Sequence, residues 1–155
     1  MTDAQPHAQA DDPFDLDRFV RAQQGVYDVA LDELRRGRKS SHWMWFVFPQ
    51  LPGLGRSATA VRYAITGVVE ARAYLTHPVL GPRLLTATDV ARDAPARSAD
   101  ALLGGVDAVK LRSSMTLFAR AATDPQPFVA VLDRWYDGDE DPATLRLLGE
   151  RSERD

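Results

Sequence analysis

The sequence has 155 residues, 45% of them hydrophobic and 26% charged, and contains no cysteine. That length predicts one domain with a single core, and the hydrophobic fraction excludes a disordered chain. Without cysteine there is no disulfide, no thiol nucleophile and no cysteine-containing metal site. The formal net charge of −3 is unevenly spread. Residues 1–17 hold five acids and no Lys or Arg, whereas residues 18–120 hold 15 basic and 8 acidic side chains. Residues 121–155 hold 4 basic and 9 acidic side chains, so a basic body sits between two acidic ends.

The opening stretch MTDAQPHAQADDP has neither the apolar h-region nor the basic n-region of a targeting peptide. No window approaches roughly 18 uninterrupted apolar residues, so no membrane span is expected and the predicted location is cytoplasmic. Residues 1–14 read as a disordered acidic tail, 15–149 as one helical domain and 150–155 as a frayed C-terminus.

Phe19, Ala22, Val26, Tyr27, Ala30, Leu31 and Leu34 recur at helical spacing and predict one amphipathic helix. Asp15 is its candidate N-cap, and Gly37 suits a left-handed residue at its end, among Arg35, Arg36, Arg38 and Lys39. HWMWFVFP follows, then QLPGLG, whose proline and two glycines predict a loop. Ser57 caps a short helix, and Thr66 is a candidate cap for another carrying Glu70, Ala73, Tyr74 and Leu75.

His77-Pro78 marks a boundary before a helix with Leu80, Leu84, Leu85 and Val90. Ser98 caps a short helix that ends at Gly104-Gly105, and Asp107 is the expected N-cap of a long helix using Leu111, Met115, Leu117 and Phe118. Phe128, Val131, Leu132, Trp135 and Tyr136 define a further helix stopped by Gly138, and Asp141-Pro142 has the cap pattern for a last one. No sustained period-2 alternation appears. The only strand-like run, 43–48, cannot form a sheet alone. The expected fold is all-α: a compact single domain of about six to eight short helices, orthogonal rather than an up-down bundle.

Residues 37–57, GRKSSHWMWFVFPQLPGLGRS, are the densest in information. Trp43 to Phe48 hold four of the 13 aromatics, and every side of a helix built from them is apolar. A buried central helix explains the rings themselves. The flanks, Arg38, Lys39, Ser40, Ser41, His42 and Gln50, place cationic and hydroxyl donors beside indoles, a set suited to a flat anionic ligand such as a nucleotide. The structural alternative gives Arg38 and Lys39 to the preceding helix end and makes Ser41 a cap. His42 suits a general base or donor, or a satisfied structural group.

A second segment is DAVKLRSSMTLF, residues 107–118. On a helix, Asp107, Lys110 and Ser114 share one face while Leu111, Met115 and Phe118 share another. That face either lines a pocket or is an ordinary solvated one. Lys39 and Lys110 are the only lysines among 19 basic residues, which singles out both segments. His7, His42 and His77 match no zinc spacing, and no phosphate loop, dinucleotide fingerprint or nucleophile elbow is present. Gly53-Leu54-Gly55 is read as a turn. Glu70 and Asp107 are the carboxylates of the basic body worth testing.

RKSSHWMWFVFPQLPGLGRS, YAI, EARAYLTHPVLGPRL and DAVKLRSSMTLF together resemble the bacterial domain-of-unknown-function family 1810, from about Asp15 to Leu148. The resemblance implies a compact all-helical domain and no settled activity or catalytic residue. Some members carry the label calpastatin, but an inhibitor of that kind is expected to be a largely disordered repeat chain, unlike this one. AYLTHPVLGPRLLTAT is also similar to a helix of the NADAR N-glycosidases, which act on ribosylated nucleotide-like substrates. That short likeness transfers no residue and only favours a nucleotide-sugar ligand.

The leading expectation is a domain that binds a small anionic ligand, nucleotide or ADP-ribose-like, between the 38–50 and 107–118 segments. Arg38, Lys39, Lys110 and Arg112 would meet the anion, and Ser41, Gln50, Ser113 and Ser114 would hydrogen-bond it. Trp43 or Trp45 would stack on it. If the site is catalytic, hydrolysis of an N-glycosidic bond with Glu70 or His42 as acid/base is the expected chemistry. No metal or cofactor is implied. The rival reading is a protein-interaction or scaffold domain whose motifs serve the core. Nucleic-acid binding ranks below both, since no arginine stripe is interleaved with exposed aromatics.

Overall fold

The computed structural model describes the backbone of residues 12–154 and the side chains through residue 149. Among the described residues ten helices follow one another: α1 (Asp17–Gln23), α2 (Tyr27–Arg36), α3 (Met44–Val47), α4 (Ala58–Arg62), α5 (Val68–Thr76), α6 (Leu80–Arg92), α7 (Ala99–Leu103), α8 (Gly105–Ala121), α9 (Gln126–Tyr136) and α10 (Pro142–Arg154). There is no strand among the described residues. The all-α expectation is met. The number exceeds six to eight because three of the elements are single turns of four or five residues.

The predicted first helix is two. Gly25 adopts φ +72 and breaks the helix, so Phe19 reaches the core from α1 while Ala30, Leu31 and Leu34 reach it from α2. The periodicity continues across the break because both halves face the same core. Asp15 is not the cap, having a left-handed φ of +50. Asp12 serves instead, its carboxylate accepting from the amides of Leu16 and Asp17 at 2.7 and 3.0 Å. Gly37 does end α2, at φ +82. A Cβ there would also lie 2.6 Å from the Pro95 carbonyl oxygen, so both backbone conformation and packing demand glycine.

Ser57 and Ser98 cap α4 and α7 as expected, each accepting at 3.0 Å from the amide three residues on. Thr66 is not the cap of α5. Its amide and hydroxyl instead donate to Glu70 Oε1, both at 2.9 Å, in the returning half of a capping box. Asp107 lies in the first turn of α8 rather than at its N-cap, which is Gly104. Asp141 does cap α10, accepting from the Thr144 amide at 3.2 Å.

The 17-residue α8 is the axis of the domain, packing against α5, α7, α9 and α10. Its Leu111, Met115, Leu117 and Phe118 are fully buried. Each such side chain contributes about 1.5–3 kcal/mol of burial free energy. Phe19 meets Tyr74 edge to face, with ring centroids 5.2 Å apart at 83°. Tyr136 on α9 donates its hydroxyl to the Ala108 carbonyl at 2.6 Å, fixing α9 against the start of α8.

The aromatic run 43–48 is not a long central helix. Only 44–47 are helical, and Trp43, Met44, Val47 and Phe48 are buried while Trp45 and Phe46 are half-buried. The chain turns sharply on both sides of α3, and Pro49 precludes another helical turn after it.

Candidate functional site

The candidate site begins with a carboxylate that composition does not single out. Glu33 sits in the last turn of α2, and the reversal at Gly37 swings Ser40, Ser41 and Trp43 back over it. Oε1 accepts from the Ser40 amide at 2.8 Å, the Ser41 amide at 3.0 Å and the Trp43 indole N–H at 2.8 Å. Oε2 accepts the Ser41 hydroxyl at 2.5 Å. Burial pushes the Glu33 carboxyl up, but the donated hydrogen bonds outweigh it and hold it down to about 2. Glu33 thus stays ionised and ties the RKSSHW segment to α2.

Lys39 is fixed by this turn. Its amide donates to the Leu102 carbonyl at 2.7 Å, and its ammonium donates to the Ser41 carbonyl at 2.5 Å. The same ammonium pairs with Asp107 Oδ2 at 2.8 Å and lies 5.1 Å from the Trp43 ring centroid. One turn along α8, Lys110 pairs with Asp107 Oδ1 at 3.4 Å and lies 4.7 Å over the Trp45 ring. Both lysines of the sequence therefore meet on one carboxylate, each against an indole. All three side chains are largely shielded, with exposures of 7% for Lys39, 17% for Lys110 and 18% for Asp107.

Buried side-chain atoms without a hydrogen-bond partner in this part of the sequence are Trp45 Nε1, Gln50 Nε2 and Ser114 Oγ. Ser114 shares its helix face with Lys110, four residues earlier. An unpaired buried donor costs free energy.

The remaining expected residues lie elsewhere. Trp43 is fully buried, its N–H on Glu33, and offers no open ring face for stacking. Ser41 is likewise engaged by Glu33, while Arg38 and His42 are exposed. Ser113 is engaged outside the cluster, its hydroxyl donating to Asp141 Oδ2 at 2.7 Å. Arg112 donates to the carbonyls of Asp139 and Glu140 at 3.0 and 2.9 Å, clamping the loop before α10. Glu70 is buried and pairs with Arg18 at 3.2 Å. Arg18 also donates to the carbonyls of Phe14, Asp15, Arg62 and Ala64. The fold thus brings Lys39, Lys110, Trp43 and Trp45 together and leaves Ser113, Arg112 and Glu70 in other networks.

Glu33 was missed, although its signal was present: a carboxylate beside Leu34 in an apolar stripe, shortly before two serines and a tryptophan. A separate open groove of about 580 Å³ is lined by Arg92, Asp93, Gln126, Ala130, Asp133 and Arg134 and shares no residue with the lysine cluster. Among the described residues, no three His, Asp or Glu side chains are grouped to hold a metal ion, and no helix is long and apolar enough to cross a membrane.

These features define a single all-helical domain with a shielded Lys–Asp–Lys cluster backed by tryptophans. The chain belongs to the family described as Protein of unknown function (DUF1810), whose model matches residues 13–148. It is similar to the conserved hypothetical protein Rv1873 from Mycobacterium tuberculosis, whose crystal structure was determined at 1.38 Å. The two are 55% identical with a TM-score of 0.86, over 89% of this chain and 99% of that one. No curated protein matches the sequence.

Proposed function

We propose that the domain binds a small anionic, nucleotide-like ligand at the cluster formed by Lys39, Lys110, Asp107 and Trp45. The observation that carries this reading is the convergence of two lysines from distant segments on a single carboxylate, with the Trp45 ring against Lys110. The two ammoniums outnumber their direct counter-ion, while Glu33 is satisfied by neutral donors. Anion oxygens bridging the lysines would leave the Trp45 N–H as an additional donor.

If the site is catalytic, hydrolysis of an N-glycosidic bond is the reaction we assign to it. His42 belongs to the segment that builds the cluster, whereas Glu70 is held by Arg18. The exposed Val106 and Val109 on α8 favour a second reading, a protein-interaction surface.

Thermal-shift measurements with inorganic pyrophosphate, ADP and ADP-ribose test the proposal in the wild type, Lys39→Ala and Lys110→Ala. Stabilisation of the wild type that both variants lose is expected. Stabilisation that survives both substitutions, or none from any compound, overturns the anion site and leaves the interaction surface.

A further inference from the structure

We propose that Asp107 is an internal competitor for the anion site and thereby restricts its ligands to multiply charged phosphates. This inference rests on the binding reading above. Asp107 spends one oxygen on each lysine, Oδ2 on Lys39 at 2.8 Å and Oδ1 on Lys110 at 3.4 Å. That is the arrangement in which two oxygens of a phosphate would bridge the same ammoniums. The carboxylate is thus a built-in occupant of the position an incoming anion must take.

Its placement makes it a strong occupant of that position. Asp107 lies in the first turn of α8, where the helix dipole favours a negative charge, and that N-terminus has no side-chain cap. A tethered carboxylate acts at an effective concentration that a free carboxylate of the same charge does not match. A singly charged ligand offers the lysines nothing that Asp107 lacks. A phosphate monoester or pyrophosphate brings more charge and more acceptor oxygens, and can displace it. Asp107 hangs from the helix by a short side chain and is as exposed as Lys110, whereas Lys39 is nearly enclosed. Around Gly104 and Gly105 nothing lies within 4 Å of where a Cβ would be, so the approach beside that turn is open.

The test compares wild type with Asp107→Asn, which keeps the size of the side chain and removes its charge. Calorimetric titration with inorganic pyrophosphate, and separately with acetate, reads the competition. Pyrophosphate is expected to bind Asp107→Asn about tenfold tighter than wild type. Acetate is expected to bind Asp107→Asn detectably and wild type not at all. Equal or weaker pyrophosphate binding to a folded Asp107→Asn overturns the competitor role while leaving the anion site intact. Absence of pyrophosphate binding in both proteins overturns the site itself. Should Asp107→Asn fail to fold, Asp107→Ser is titrated in the same way, with the same outcomes deciding.

Discussion

The indole N–H of Trp43 donates to Glu33 Oε1 at 2.8 Å, joining the most conspicuous sequence motif to a carboxylate ten residues earlier. Through this bond and the bonds from Ser40 and Ser41, the polar half of the motif folds onto α2 while its aromatic half enters the core. Lys39 belongs to the polar half, and its direction toward α8 follows from that turn.

Glu33 therefore makes stability depend on pH. Its carboxyl is held at about 2 against an ordinary 4.5, because the donated hydrogen bonds overcome burial. A depressed acid stabilises the folded state fully above its unfolded value and loses that contribution as pH falls through its folded value. The unfolding free energy from urea titrations is expected to fall steadily between about pH 5 and about pH 2, by on the order of 3 kcal/mol for this group. Glu33→Gln is expected to be less stable at neutral pH and to flatten this part of the profile. An unchanged acid limb in Glu33→Gln would assign the acid sensitivity to other groups.

Glu70 separates a structural from a catalytic role. Glu70→Ala leaves the buried Arg18 without its carboxylate and is expected to cost about 3–5 kcal/mol in chemical denaturation. Glu70→Gln keeps an acceptor for Thr66 and is expected to cost less. Neither should change pyrophosphate affinity in a protein that remains folded. A selective loss of affinity in Glu70→Gln would place Glu70 at the ligand.

Two glycines with similar backbone angles predict different penalties. Gly25, at φ +72, has nothing within 4 Å of an added Cβ, so Gly25→Ala should cost about 1 kcal/mol of conformational strain. Gly37, at φ +82, has the Pro95 carbonyl oxygen 2.6 Å away, and Gly37→Ala should cost clearly more. Equal thermal midpoints for the two variants would mean that the loop at Pro95 yields freely.

Asp141 anchors the last helix. Its Oδ2 accepts from Ser113 Oγ at 2.7 Å and Thr144 Oγ1 at 2.6 Å, while its amide donates to Thr116 at 2.9 Å. Asp141→Ala is expected to destabilise by about 2–4 kcal/mol, since it removes the acceptor of two buried hydroxyls, Ser113 and Thr144, and the cap of α10, while the amide hydrogen bond to Thr116 remains. Hydrogen exchange should quicken first in α10. Uniform acceleration across all helices would show that α10 is not a separable unit.

Much of the fold was legible locally. Ser57, Ser98, Gly37 and the Asp141-Pro142 pair announced helix ends because capping is settled by neighbours within a few residues. The all-α class followed from apolar spacing, which one core imposes on every helix that faces it. The same uniformity hid the break at Gly25, since two helices facing one core keep a continuous stripe.

The candidate site was half legible. Lys39, Lys110 and Trp45 stood out by residue type, and their segments do meet. Yet Ser113 and Arg112, next to one another in an equally distinctive motif, turn to Asp141 and to the loop before α10. Successive residues on a helix diverge by about 100°, so one motif serves several neighbours and only the packing assigns them.

What the sequence by itself determined is therefore the helical class, the helix ends at Gly37, Ser57, Ser98 and Asp141, and the two segments that meet. Only the tertiary structure decided that Glu33 organises the first segment, that Asp107 joins both lysines, and that Glu70 belongs to Arg18. Each of these is a pairing of buried charges or polar groups. Burial requires a partner for each such group but does not specify which, and residues far apart in the chain become partners only when the helices pack.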